Sequence, residues 1–125
     1  MSRPVLEPTA EHPITIEPTP GRVVVRIGDT VVASSEHSLT LQESTYPAVQ
    51  YIPLADVDQS LLRRTDTESY CPFKGDASYY SVQTADGGAV TDAIWTYEQP
   101  YAAVSEIKDH VAFYPDKAAV TVESA

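Results

Sequence analysis

A single cysteine, Cys71, is all the thiol this sequence offers, so no disulfide can form within the chain. Positive charge is scarce as well. Eight Lys and Arg stand against eighteen Asp and Glu, a formal net charge of -10. Such a field repels phosphate backbones and anionic lipid surfaces, and Arg63-Arg64 is the only adjacent basic pair. Nucleic acid is therefore disfavoured as a partner, and the acidity reads as a solvated surface. No apolar run approaches the ~18 residues that span a bilayer, so no membrane association is expected. Met1-Ser2-Arg3-Pro4 leads into prolines and acids without a secretory pattern, which points to a cytoplasmic protein of bacterial type. The three histidines, His12, His37 and His110, lie far apart with no paired spacing. With one thiol they do not make a closed tetrahedral set, so neither a metal nor a cofactor is expected. Internal repeats, low-complexity tracts and long 3.6-residue periods are missing too.

What is present is β texture. A chain of 125 residues buries about two thirds of the surface exposed when unfolded, enough for one domain without staples. Residues 1–13 carry Pro4, Pro8 and Pro13 and no hydrophobic period, so they read as an extended arm before a single β domain over 14–125. Ile14–Ile16, Arg22–Ile27, Thr30–Ser34, Ser38–Glu43, Val49–Ile52, Ala77–Gln83 and Ala93–Tyr97 read as strands. Gly28-Asp29 suits a type II′ hairpin, and Asp86-Gly87-Gly88 a second turn. Short strands are also expected at Ser60–Leu62 and Thr67–Cys71. Pro53–Asp58 suits one helical turn, and Ala102–Ile107 is the best helix candidate. Val111–Tyr114 and Ala119–Glu123 read as a closing hairpin around Pro115-Asp116-Lys117. The expected fold is mainly β, a sandwich or barrel-like arrangement of short antiparallel strands with one or two short helices.

The chemistry concentrates in Tyr70–Ser81, which holds Cys71, the opposite charges Lys74 and Asp76, and four aromatics around Gly75. Cys71 is either a nucleophile, with Lys74, His110 or His37 folded against it, or a small buried side chain at a strand end. With no defined base, the structural or ligand-lining role is preferred. Lys74-Gly75-Asp76 is either an anion-cradling turn or a plain hairpin turn with a surface pair, and it lacks the pattern of a phosphate loop. Asp56-Val57-Asp58 superficially fits paired carboxylates that hold Mg²⁺. The small-residue turn that nucleotidyl transfer needs upstream is missing between Pro47 and Gln50. Glu43, Tyr46, Tyr51, Tyr79, Trp95 and Tyr97 combine polar tips with broad faces. Glu43 ends an apolar alternation, where an unpaired carboxylate is unfavourable, and Arg26 is its candidate partner, either in a structural salt bridge or in a ligand-facing pair.

Cys71-Pro72-Phe73-Lys74-Gly75-Asp76-Ala77-Ser78-Tyr79-Tyr80 resembles the signature of the family catalogued as domain of unknown function 427. Arg22–Arg26, Glu43–Pro47, Tyr51–Pro53 with Asp56-Val57, Ala93–Pro100 and Val111–Tyr114 match it further. Where relatives often carry His before the cysteine, this chain has Tyr70. The resemblance implies a small β-tent domain similar to the Mss4-like group and to methionine sulfoxide reductase B. The zinc that such domains often hold on two Cys-x-x-Cys pairs has no ligands here.

The preferred function is binding of a small polar molecule in a β pocket lined by Glu43, Tyr46, Tyr51, Cys71, Lys74, Asp76, Tyr79 and Trp95. Lys74 is expected to face the ligand and to matter little for stability, while Phe73 anchors the turn in the core. One alternative is an enzyme using Cys71 or a pocket carboxylate. Another is a structural or interaction module whose exposed strand edge pairs with a second copy, making a homo-oligomer.

Overall fold

The computed structural model describes residues 4–84 and 87–123. Ten strands form in chain order: β1 (Ile14–Pro18), β2 (Arg22–Ile27), β3 (Thr30–Ser35), β4 (Leu39–Glu43) and β5 (Val49–Pro53), then β6 (Leu62–Cys71), β7 (Gly75–Gln83), β8 (Ala89–Thr96), β9 (His110–Phe113) and β10 (Ala119–Glu123). They make two antiparallel sheets, one of seven strands in the order β1-β4-β5-β9-β8-β7-β6 and one of three in the order β10-β2-β3. The fold is mainly β as expected, and among the described residues neither sheet closes into a barrel. No helix of these residues is long and apolar enough to cross a membrane.

Strand alternation divides the interior in two. Ile52, Ile94, Val111 and Phe113 of the large sheet pack against Val23, Val25 and Val32 of the small sheet. Their chain neighbours Tyr51, Trp95 and Ala112 point the other way, towards Leu41, Ala77, Tyr79, Tyr97, Val104 and Ile107. Successive side chains of a strand leave on opposite faces, so one sheet serves two cores. Unbroken alternation along β7 sends Tyr80 and Val82 to the first core and Ala77 and Tyr79 to the second, while the register shift between Tyr80 and Val82 is taken up by extra residues on β8.

Local chemistry accounts for the connections. Gly28 has φ +57 and Asp29 does not share that region, which fits the expected β2–β3 turn. At the second expected turn, Gly87 N donates to Thr84 O (3.1 Å) and Thr84 N to Gly88 O (2.9 Å), while Asp86 lies outside the described residues. Gln59–Leu61 is a 3₁₀ turn, not the start of a strand. The Asp58 carboxylate accepts from Ser60 N (3.2 Å) and Ser60 Oγ (2.6 Å) and caps it. Thr67–Cys71 belongs to the longer β6. The helix expected over Ala102–Ile107 is 3₁₀, broken at Val104, and another 3₁₀ turn covers Leu54–Asp56.

The closing hairpin does not form. β9 pairs with β5 and β8, while β10 crosses to β2. Lys117 N and Ala118 N both donate to Tyr114 O (2.9 and 3.0 Å), and this tight turn redirects the chain to the other sheet. Alternating patterns fit either partner, so the sequence left the pairing open.

Ile94, fully buried on a central strand, is expected to lose about 2–5 kcal/mol on substitution by alanine. Val31, half exposed, should change stability by about 0.5 kcal/mol or less. Urea unfolding midpoints of both variants check this ordering.

Candidate functional site

The β6–β7 turn builds the charged end of the site. Lys74 N donates to Cys71 O (3.1 Å), with Pro72 at the second turn position, where its fixed φ suits the bend. Gly75 follows at φ +111, and a Cβ there would stand 3.3 Å from the Gln99 carbonyl oxygen. Tyr101 N donates to Lys74 O (3.0 Å), which fixes the turn against the next loop. So held, the Lys74 side chain runs inward and is only 8% exposed.

Its ammonium donates to Glu43 Oε1 and lies 3.9 Å from Cys71 Sγ. The other Glu43 oxygen, Oε2, meets His12 Nε2 at 2.8 Å. Backbone register delivers that histidine. Ile14 stands opposite Glu43 in the β1–β4 ladder, and Ser44 N donates to Pro13 O (2.8 Å). The His12 ring then stacks on Phe73, with centroids 4.4 Å apart and planes 10° from parallel. Leu6 N also donates to Pro72 O (2.9 Å), so the segment before β1 lies along the hairpin turn.

Beside this charge cluster opens a cavity of about 350 Å³. Tyr51, Tyr79, Trp95, Tyr97 and Tyr114 supply its aromatic walls, Leu41 and Val49 its aliphatic ones, and Tyr46 and Pro47 its outer edge. Trp95 Nε1 donates to Tyr51 Oη (3.2 Å), and Tyr114 Oη to Tyr79 Oη (3.4 Å). Tyr97 as a whole is 8% exposed, no hydrogen bond from the described residues reaches its hydroxyl, and that hydroxyl is open to water, because no fully buried side-chain polar atom of these residues lacks a partner. Burial holds the Tyr51, Tyr97 and Tyr114 phenols well above the usual tyrosine range, so they remain protonated donors. Burial also pushes the Glu43 carboxyl upward, but hydrogen bonds and charge from Lys74 and His12 outweigh it and leave it below the ordinary value.

Of the side chains expected at the site, Glu43, Tyr46, Tyr51, Lys74, Tyr79 and Trp95 line this one cavity. Cys71 is adjacent but packs behind Lys74 against the second core. Asp76 is not with them. It leaves β7 on the face opposite Ala77 and Tyr79 and lines a separate polar depression with Ser78, Glu98, Gln99 and Tyr101. Arg26 is not the partner of Glu43, because it sits on β2 opposite Ala119, in the other sheet. Lys74 and Phe73 exchange their expected roles, the lysine being buried and the phenylalanine half-buried against His12. His12 and Tyr114 were missed. His12 gave no signal within a proline-rich stretch, whereas Tyr114 was visible as an aromatic at a strand end.

The paired acids Asp56 and Asp58 turn away from each other's work. Asp56 accepts from Ser35 Oγ (2.6 Å), and Asp58 caps its own 3₁₀ turn. Among the described residues no three His, Cys, Asp or Glu side chains converge so as to hold a metal ion.

A family model described as a domain of unknown function, DUF427, matches residues 15–124. The chain belongs to this family. No curated protein matches it. The DUF427 match spans every strand except the first residue of β1, and it includes both halves of the Glu43–Lys74 pair. His12 lies outside the matched DUF427 region.

Removing one partner of a buried ion pair strands the other charge. Lys74→Ala should therefore lower stability by about 3–5 kcal/mol, and the double variant Glu43→Gln/Lys74→Met should recover part of that loss. Phe73→Ala, half-buried, should lower it less, by about 1–2 kcal/mol. Denaturant unfolding of the four proteins gives the order.

The Glu43 shift fixes a pH dependence. Its folded pKa lies below an unfolded value near 4.5, so its contribution is present above that pH and is lost as pH falls through the depressed value. Glu43→Gln should flatten the acid-side loss of stability below about pH 4.5, read from unfolding midpoints across a pH series.

Proposed function

We propose that this protein binds a small polar molecule with a flat or apolar face in the Glu43–Lys74 cavity. The observation that carries this is the gathering of the Glu43–Lys74 pair with the Tyr51, Tyr79, Trp95, Tyr97 and Tyr114 rings around one cavity, where the Tyr97 hydroxyl is bonded by none of the described residues. That hydroxyl is open to water, and an entering ligand can take the water's place as its partner. The cavity falls within the size range of small-molecule sites, and its mixture of aromatic walls with few polar groups is what such sites use. Glu43 and Lys74 neutralise each other, so they offer polarity without net charge. Cys71 lies beside Lys74 but is not among the residues that line the cavity, which does not favour the thiol as the group that meets the ligand.

Trp95 is the only tryptophan and lines the cavity, so its emission reports occupancy. In a screen of small hydroxylated and aromatic metabolites, binders should shift Trp95 emission and raise the Tm. Val49→Phe, which fills the cavity, should abolish both effects while the far-UV circular dichroism is kept. A response that survives Val49→Phe, or no response from any compound, rejects the proposal.

A further inference from the structure

The cavity does not end at Trp95. An apolar groove of about 270 Å³ begins on the other side of the same three residues, Pro47, Val49 and Trp95, which line both spaces. Beyond them the groove is walled by Ile52 and Phe113 of the large sheet, Pro115, and Val120 and Val122 of β10. Val122 is half exposed, so this mouth is open to water and an apolar surface stands uncovered there. An aromatic chamber with a few polar groups and an apolar groove that share Pro47, Val49 and Trp95 suit one molecule with two unlike ends.

The head chemistry follows from charge balance. Both Glu43 oxygens are engaged, one by Lys74 and the other by His12, and the Lys74 ammonium is taken by Glu43. An ionised head would enter a desolvated site with no spare counter-charge, which is strongly unfavourable. An uncharged hydroxyl or amide finds the free Tyr97 hydroxyl and the protonated Tyr51 phenol. We infer that the ligand is an uncharged amphiphile, with a hydroxyl or amide head in the Glu43–Lys74 cavity and an apolar tail over Trp95 in the groove. This rests on the binding role proposed above and adds the class of molecule.

The test uses the intact protein and terminal straight-chain alcohols from butanol to octanol, titrated against Trp95 emission, with octanoate and octylammonium as charged counterparts. Each added methylene that enters the groove should tighten binding about fourfold. Octanoate and octylammonium should bind at least about tenfold more weakly than octanol. In Val122→Glu the gain per methylene should collapse, and in Tyr97→Phe every alcohol should weaken by a similar factor. Saturable binding that is indifferent to chain length overturns the tail assignment alone and leaves the cavity proposal standing. Tighter binding of either ion overturns the uncharged head. No response to any alcohol while other small molecules shift Trp95 rejects the amphiphile, and no response to anything rejects the cavity as well. If the groove is instead covered by a second copy, wild type will sediment as a dimer and Val122→Glu as a monomer, with no chain-length dependence in either, which also overturns the assignment.

Discussion

Lys74 and Glu43 are withdrawn from water where the end of β4 meets the β6–β7 turn, and neither could remain there alone. A desolvated charge must find its opposite within hydrogen-bond reach, and this demand fixes the surrounding backbone. The lysine arrives because Pro72 and Gly75 shape the turn and Tyr101 N ties its carbonyl. The carboxylate arrives because β4 is held between β1 and β5. His12 then satisfies the second oxygen and covers the pair from the solvent side, with Phe73 stacked beneath its ring.

The two faces of the large sheet carry different kinds of matter. Valine, isoleucine and phenylalanine fill the side towards the small sheet, where close packing needs no polar atoms. Tyrosine and tryptophan dominate the side with the cavity, where each ring brings a polar tip to be satisfied. The division explains how a small domain keeps a solid core and still leaves a space beside it. A separate polar seam joins Thr19, Ser38, Thr40 and Gln50. The Thr19 and Ser38 hydroxyls both donate to Gln50 Oε1 (2.6 and 2.9 Å), and Gln50 Nε2 donates to Thr40 Oγ1 (3.0 Å). Since a one-residue slip would turn Thr40 and Gln50 to the wrong face, this seam pins the β4–β5 register.

Strands such as Arg22–Ile27 and Thr30–Ser35 were legible because period-two alternation and the Gly28-Asp29 turn are local signals. Pairing between distant strands was not, since alternation fixes a face and not a neighbour, and β10 looked as ready to pair with β9 as with β2. Glu43, Lys74 and Trp95 could be picked out as costly or dense side chains in an apolar setting. Asp76 was misassigned because proximity in the chain to Lys74 outweighed the alternation that sends it to the opposite face. Arg26 failed as a partner for a related reason: choosing a counter-ion needs the sheet assignment, which lies beyond any single strand. His12 depends on a ladder register thirty-one residues away from its partner and leaves no trace in composition.

The same long separation bears on how the chain reaches its native state. β6, β7 and β8 form a meander of neighbours that closes cheaply, whereas β5 finds β9 only after the whole meander has been threaded between them. Lys74 rides on the meander and Glu43 on the other side of that closure. On loop-closure grounds the lysine is expected to stay hydrated until β4 and β5 dock. In that order of events the energetic penalty of a buried charge falls late, when its partner is already in place.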